Sequence, residues 1–183
     1  KDGAWGAMAG ISAVQLAARG MTGAPAVTVV QAPEYWQDLG QDWKVLQQYF
    51  KPYPVCRWAH APVEAVLELR AKHNLTAQDV ARIEVETFHE SIRLAVAEPQ
   101  TPEEAQYSTS FPCAVAMVQG AVRPQDLHGD ALQDPEVLRL SRGLVMREDA
   151  KANALFPGTR IARVRLVLRS GHSVESDWKT PKW

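Results

Sequence analysis

Cysteine is scarce in this chain. Only Cys56 and Cys113 occur in 183 residues, far apart and with no CxxC spacing. That pattern indicates neither a zinc site nor a disulfide framework, so no metal is expected. An excess of charge is also lacking: 20 Lys and Arg face 21 Asp and Glu, for a net charge of −1. Such a balance creates no field that favours nucleic acid or an anionic membrane, and neither partner is expected. No run of ~18 apolar residues is present, which argues against a helical membrane span. The opening residues have none of the charged head, apolar run and cleavage site of a secretory signal. A reduced, cytoplasmic setting is the simplest expectation. Repeats and low-complexity tracts are missing too. A chain of this length can still bury a substantial core, as one domain or as a domain plus a fragment.

What is present is concentrated in Phe50-Lys51-Pro52-Tyr53-Pro54-Val55-Cys56-Arg57-Trp58-Ala59-His60. Pro52 and Pro54 hold φ near about −65° and remove two amide donors, so neither a helix nor a central strand fits. An extended, stiff loop is predicted. Ala61 to Arg70 then reads as a helix, with Pro62 tolerated as its first helical position and Val63, Val66, Leu67 and Arg70 at about 3.6-residue spacing, apolar groups on one face. Glu64 and Glu68 fall off that face. The loop thus delivers His60 to a helix start, where unpaired amides favour an anion. Lys51, Arg57 and His60 are placed to converge on one carboxylate.

Along the rest of the chain, residues 4–19 are rich in alanine and apolar on most faces, a helix that wants burial. Residues 22–40 read as a connector with a short helix around Glu34–Leu39. Trp43–Phe50 alternates moderately and is expected to be a strand. Thr76 followed by Asp79 is a capping pattern. Ala81, Ile83, Val85 and Thr87 then alternate with Arg82, Glu84, Glu86 and Phe88 in a half-buried strand. A loop is expected at 98–104, a buried helix over 109–122, and a helix from Pro135 to Ser141 capped by Asp134. A short strand is expected at Leu144–Arg147. The strand Arg160–Leu168 turns at Ser170-Gly171-His172 into Val174–Trp178 as a hairpin. Helices and strands without βαβ regularity argue for an α+β fold, an antiparallel sheet packed with helices.

Three stretches carry a resemblance. The run KPYPVCRWAHAPVEAVLEL, the opening KDGAWGAMAGISAVQLAARGMTGAPA and the segment AQYSTSFPCAVAM at 105–117 closely resemble the MmgE/PrpD family. That family includes 2-methylcitrate dehydratases, cis-aconitate decarboxylase and iminodisuccinate epimerase. The resemblance implies a helical segment of a large all-α domain at residues 1–41 and an α+β lid domain at 42–183. It also implies more helix before residue 1 and after residue 183. By the same resemblance this chain is part of a lyase or isomerase that moves a proton next to a carboxylate of a small polycarboxylate, with no metal or organic cofactor. This chain would supply the lid half of the active site and be inactive alone. A non-catalytic carboxylate-binding or assembly module, paired with a separate helical subunit, is the alternative. The apolar first helix is expected to find cover in another copy or in the helical region outside this sequence.

Candidate residues follow from both lines. A lysine beside other cations and partly desolvated is suited to acid–base work, and the resemblance makes Lys51 an active-site residue. His60 is the second catalytic candidate, as proton donor or carboxylate clamp, against a plain helix-capping role. Arg57 has the planar fork that suits a carboxylate, or else pairs with Glu64. Tyr107 and Ser108 are substrate-binding candidates by resemblance, and a serine there also suits a helix cap. Lys1, beside Asp2-Gly3, resembles the family's other lysine motif and is a further substrate-binding candidate. Cys56 reads as a small filler, with a histidine expected at this place in some family members. Asp126, His128 and Asp130 are metal-ligand types without ligand spacing and read as a solvated loop.

Overall fold

A computed structural model describes residues 2–182. The chain divides into two compact units, Lys1–Gln48 and Tyr49–Trp183.

The first unit holds α1 (Asp2–Ala17), α2 (Val27–Val30) and 3₁₀ turns at Pro33–Trp36 and Lys44–Gln47. The small, apolar residues of α1 favour helix but give it no polar face, so its large side chains stand in the open, with Val14 70% and Trp5 68% exposed. None of the unit's described side chains is buried. The strand expected over Trp43–Phe50 is a correction: a 3₁₀ turn occupies Lys44–Gln47 instead. Alternation this weak makes no strand without a neighbour to bond, and no described strand pairs with it. The helix expected at Glu34–Leu39 is replaced by α2 and the turn at Pro33–Trp36, which the Trp36 indole ties to the Thr28 carbonyl at 3.2 Å.

The second unit carries α3 (His60–Lys72), β1 (Val80–Thr87), α4 (His89–Ile92), α5 (Pro102–Tyr107) and α6 (Ser110–Gln119). After these come α7 (Pro135–Arg142), β2 (Val145–Glu148), α8 (Ala150–Leu155), β3 (Ala162–Leu168) and β4 (Ser173–Glu175). The fold is α+β. One face of a four-stranded sheet, ordered β2-β1-β3-β4, is covered by helices. Ile83, Val85, Val164 and Leu166 from the sheet meet Val63, Val66 and Leu69 of α3, Phe111 and Met117 of α6, and Leu140 of α7 in one buried core. The other face is a charged ladder in which Arg163 pairs with Glu86 and with Glu175 (3.0 Å), and Arg165 with Glu175 (2.8 Å).

The sheet is mixed, not wholly antiparallel. β1 pairs antiparallel with β3, and β3 with β4, but β2 lies parallel to β1. The whole run α4–α7 separates β1 from β2, and a crossover of that length returns the chain in the same direction. A second correction concerns β1. Val80 pairs with Leu168 and Arg82 with Val167, so Ala81 is the extra residue of a bulge. Val80 therefore joins Ile83, Val85 and Thr87 inside, while Ala81 faces out.

Local signals place the remaining elements. The Asp134 carboxylate accepts the Glu136 and Val137 amides at the start of α7, and Asp149 does the same for Lys151 and Ala152 at α8. Thr101 caps α5, a helix at Pro102–Tyr107 where a loop was expected. Gly120 ends α6 at φ +68°, and a Cβ there would come within 2.8 Å of the Arg70 guanidinium. The β3–β4 turn passes through Gly171 at φ +89°. A smaller core of Phe88, Ala152 and Ile161 packs Trp58, Phe156 and Trp178 around itself.

Candidate active-site loop

The two prolines keep residues 51–56 out of regular structure, and a 3₁₀ turn at Arg57–Ala59 leads straight into α3. Helix α3 starts at His60, two residues ahead of Pro62. The proline fits because first-turn amides have no intrahelical partner. The loop is anchored along its length. Val55 and Ala59 are buried, the Cys56 amide donates to the Gln106 carbonyl at 2.7 Å, and Trp58 sits edge-on to Phe88 and Phe156 at 5.8 Å each.

Lys51 and His60 come together on one atom. The Lys51 ammonium donates to the Val55 carbonyl at 3.3 Å, and His60 Nε2 lies 3.3 Å from the same oxygen. Nε2 must carry the proton for that bond, which leaves the lone pair on Nδ1; Nδ1 has no hydrogen-bond partner among the described residues. Lys51 is exposed, whereas the His60 side chain is 0% exposed. Arg57 is half-buried, its guanidinium 4.5 Å over the Tyr49 ring. Burial pushes the His60 imidazole below its ordinary pKa; the Val55 carbonyl opposes this, and the charges of Lys51 and Arg57 add to the lowering.

Lowering a histidine's folded pKa has a definite consequence for stability. The unfolded chain then takes up the proton first, so this contribution is complete above the unfolded value of about 6.5 and is lost as pH falls toward the folded value. Urea midpoints are therefore expected to drop from pH 7.5 to 5.5, and His60→Gln is expected to flatten that slope. An equal slope in the variant would assign the acid sensitivity to other groups.

One face of α3 holds a second arrangement. His60 and Glu64 are one turn apart, and Tyr53 lies across both. Its ring meets the His60 ring edge-on at 5.4 Å and 66°, and its hydroxyl donates to Glu64 Oε2 at 2.6 Å. Lys182 donates to the other oxygen of Glu64, and Lys179 pairs with Glu68 at 2.5 Å. Burial, then the Glu64 carboxylate, raises the Tyr53 phenol well above its usual range, so it remains a donor. Burial works to raise Glu64, but the hydrogen bonds from Lys182 and Tyr53 outweigh it and hold the carboxyl below its ordinary value. Glu64 thus engages Tyr53 and Lys182. Tyr53 and Glu64 were not among the sequence candidates; the tyrosine between two prolines and the i, i+4 spacing of His60 and Glu64 were the available signals.

The other candidates are scattered more widely. Tyr107 ends α5, beside the Gln106 carbonyl that holds Cys56, and is 53% exposed. Ser108 is buried. Its hydroxyl donates to the Val96 carbonyl (2.7 Å), lies 3.1 Å from Ser110 Oγ and accepts the Phe111 amide (3.1 Å). Lys1 lies outside the described residues. Cys56 is half-buried and free. Asp126 accepts the Arg123 amide at 2.8 Å, and among the described residues no three His, Cys, Asp or Glu group as a metal site would. No helix among the described residues is long and apolar enough to cross a membrane.

No curated protein matches this chain. Residues 53–182 match the MmgE/PrpD C-terminal domain, a span that takes in α3 to β4 and nearly all of the Lys51–His60 loop. With that match covering most of its length, the chain belongs to the MmgE/PrpD family.

Proposed function

We propose that this chain supplies the lid half of the active site of a lyase or isomerase that acts on a small polycarboxylate, of the 2-methylcitrate or cis-aconitate kind, by cofactor-free acid–base chemistry. The observation that carries the reading is the meeting of Lys51 and His60 on the Val55 carbonyl. It fixes an exposed ammonium at the mouth of α3 with Arg57 nearby in the same loop. In this reading Lys51 exchanges a proton with the carbon or leaving group next to a substrate carboxylate. Arg57 grips a carboxylate through its fork, and Tyr107, with half its surface exposed, lies at the end of α5 as a further contact. His60, sealed in the fold, serves Lys51 by holding the carbonyl they share. Ser108 holds the start of α6, its hydroxyl being committed to Val96 and Phe111. The remaining acid–base groups come from a helical region or a second subunit.

The full burial of His60 favours one other reading, a non-catalytic carboxylate-binding module that pairs with a separate helical subunit. Calorimetry with tricarballylate, alongside turnover assays with cis-aconitate and 2-methylcitrate, tests both. The 183-residue chain is expected to bind tricarballylate and to turn over neither substrate. Robust turnover by this chain alone would reject the half-site. Absence of tricarballylate binding would reject the carboxylate site in either reading.

A further inference from the structure

We propose that Tyr53, pinned between His60 and Glu64, is a positioning residue that sets where the Lys51 ammonium stands. The inference rests on the reading of Lys51 given above and extends it to residues that do not touch the substrate. Lys51 has a long, mobile side chain, and an ion pair or proton transfer needs its ammonium in one place. Its described anchor is the Val55 carbonyl, so its position is only as good as the backbone of residues 53–55.

Val55 is fixed by its own burial and by His60, and Tyr53 holds the N-terminal end of that backbone. Tyr53 stands between Pro52 and Pro54, so a fix on its side chain carries to both neighbours with little slack. Its ring rests on His60 and its hydroxyl reaches Glu64, one turn further along α3. The tyrosine therefore staples the loop to a helix face at two points. His60 then returns from that face to the Val55 carbonyl, closing a ring of contacts that runs Tyr53, Glu64, α3, His60, Val55. Glu64 is itself held by Lys182, from a segment whose Lys179 pairs with Ala162 of β3. The loop is so referred to the sheet as well as to the helix. A hydrogen bond to a carboxylate is worth more than a neutral one, which makes the hydroxyl the sensitive point of the staple.

Tyr53→Phe keeps the ring on His60 and removes the hydroxyl. Glu64→Gln keeps an acceptor for the hydroxyl and weakens the hold of Lys182. Both are studied in the 183-residue chain by nitrogen-15 NMR of the His60 ring and by calorimetry with tricarballylate. Tyr53→Phe is expected to move the His60 titration up, as the loop opens to water and the burial that lowers it is relieved. It is also expected to weaken tricarballylate about fivefold, with the thermal midpoint lowered by only a few degrees. Glu64→Gln, which leaves the hydroxyl a neutral acceptor, is expected to weaken tricarballylate as well, by less than Tyr53→Phe does. An unchanged His60 titration in Tyr53→Phe overturns the proposal, whether or not tricarballylate binds. If the wild-type chain binds no tricarballylate, the carboxylate reading falls, and the imidazole titration still decides on the staple.

Discussion

Lys51→Ala is expected to lower kcat/KM for the polycarboxylate by about a hundredfold in an assembly competent for turnover, the contribution of one placed acid or base. In this chain alone the same substitution is expected to weaken tricarballylate binding about tenfold, since a charge-assisted contact is lost. Stability should hardly change, because Lys51 is exposed and its one described hydrogen bond is long, 3.3 Å to Val55. Lys51→Arg separates the two roles. Arginine keeps the charge but does not give up its proton at neutral pH, so binding should survive while kcat falls. Near-wild-type turnover in Lys51→Ala would remove the loop from the chemistry.

Phe111→Ala tests the support behind the loop. Phe111 is 0% exposed in the main core, and its amide donates to the Ser108 hydroxyl, so a hydrogen bond at the start of α6 and the centre of the core meet at one residue. Truncating a buried phenylalanine costs roughly 3–5 kcal/mol, from lost burial plus the cavity left behind. Against a total of about 5–15 kcal/mol for an ordinary domain, that is a large fraction. The urea midpoint should fall sharply with little change in slope. The loss should also reach the loop, because α5 ends just before Ser108 and holds Cys56 through Gln106. A shift of less than about 1 kcal/mol would mean that α6 is not packed as described.

Much of this was legible before any coordinates. The Asp134 cap, the turn at Gly171 and the alternation of Ala162, Val164 and Leu166 are local signals, each set by residues a few positions apart. A buried helix was legible near 109–122 because its residues are apolar on nearly every face, but it ends earlier, at Gln119, where Gly120 turns left-handed. Other elements escaped for physical reasons. A four-residue strand such as β2 owes its direction to the helices that precede it, not to its own residues. The bulge at Ala81 depends on a partner strand more than 80 positions away, at Val167 and Leu168, and no alternation rule sees it.

The sequence by itself determined the chemistry available: a proline-stiffened loop carrying Lys51, Cys56, Arg57 and His60 into a helix, in a chain with little cysteine and no net charge to speak of. It also determined the family, through residues that stand close together along the chain. Only the tertiary structure decided which of those groups faces water. Burial is a property of three-dimensional neighbours, so His60 is sealed behind Val55 and Tyr53 while Lys51, nine residues earlier, stays in the open. The same packing brings Glu64 and Lys182 to one point, from opposite ends of the second unit.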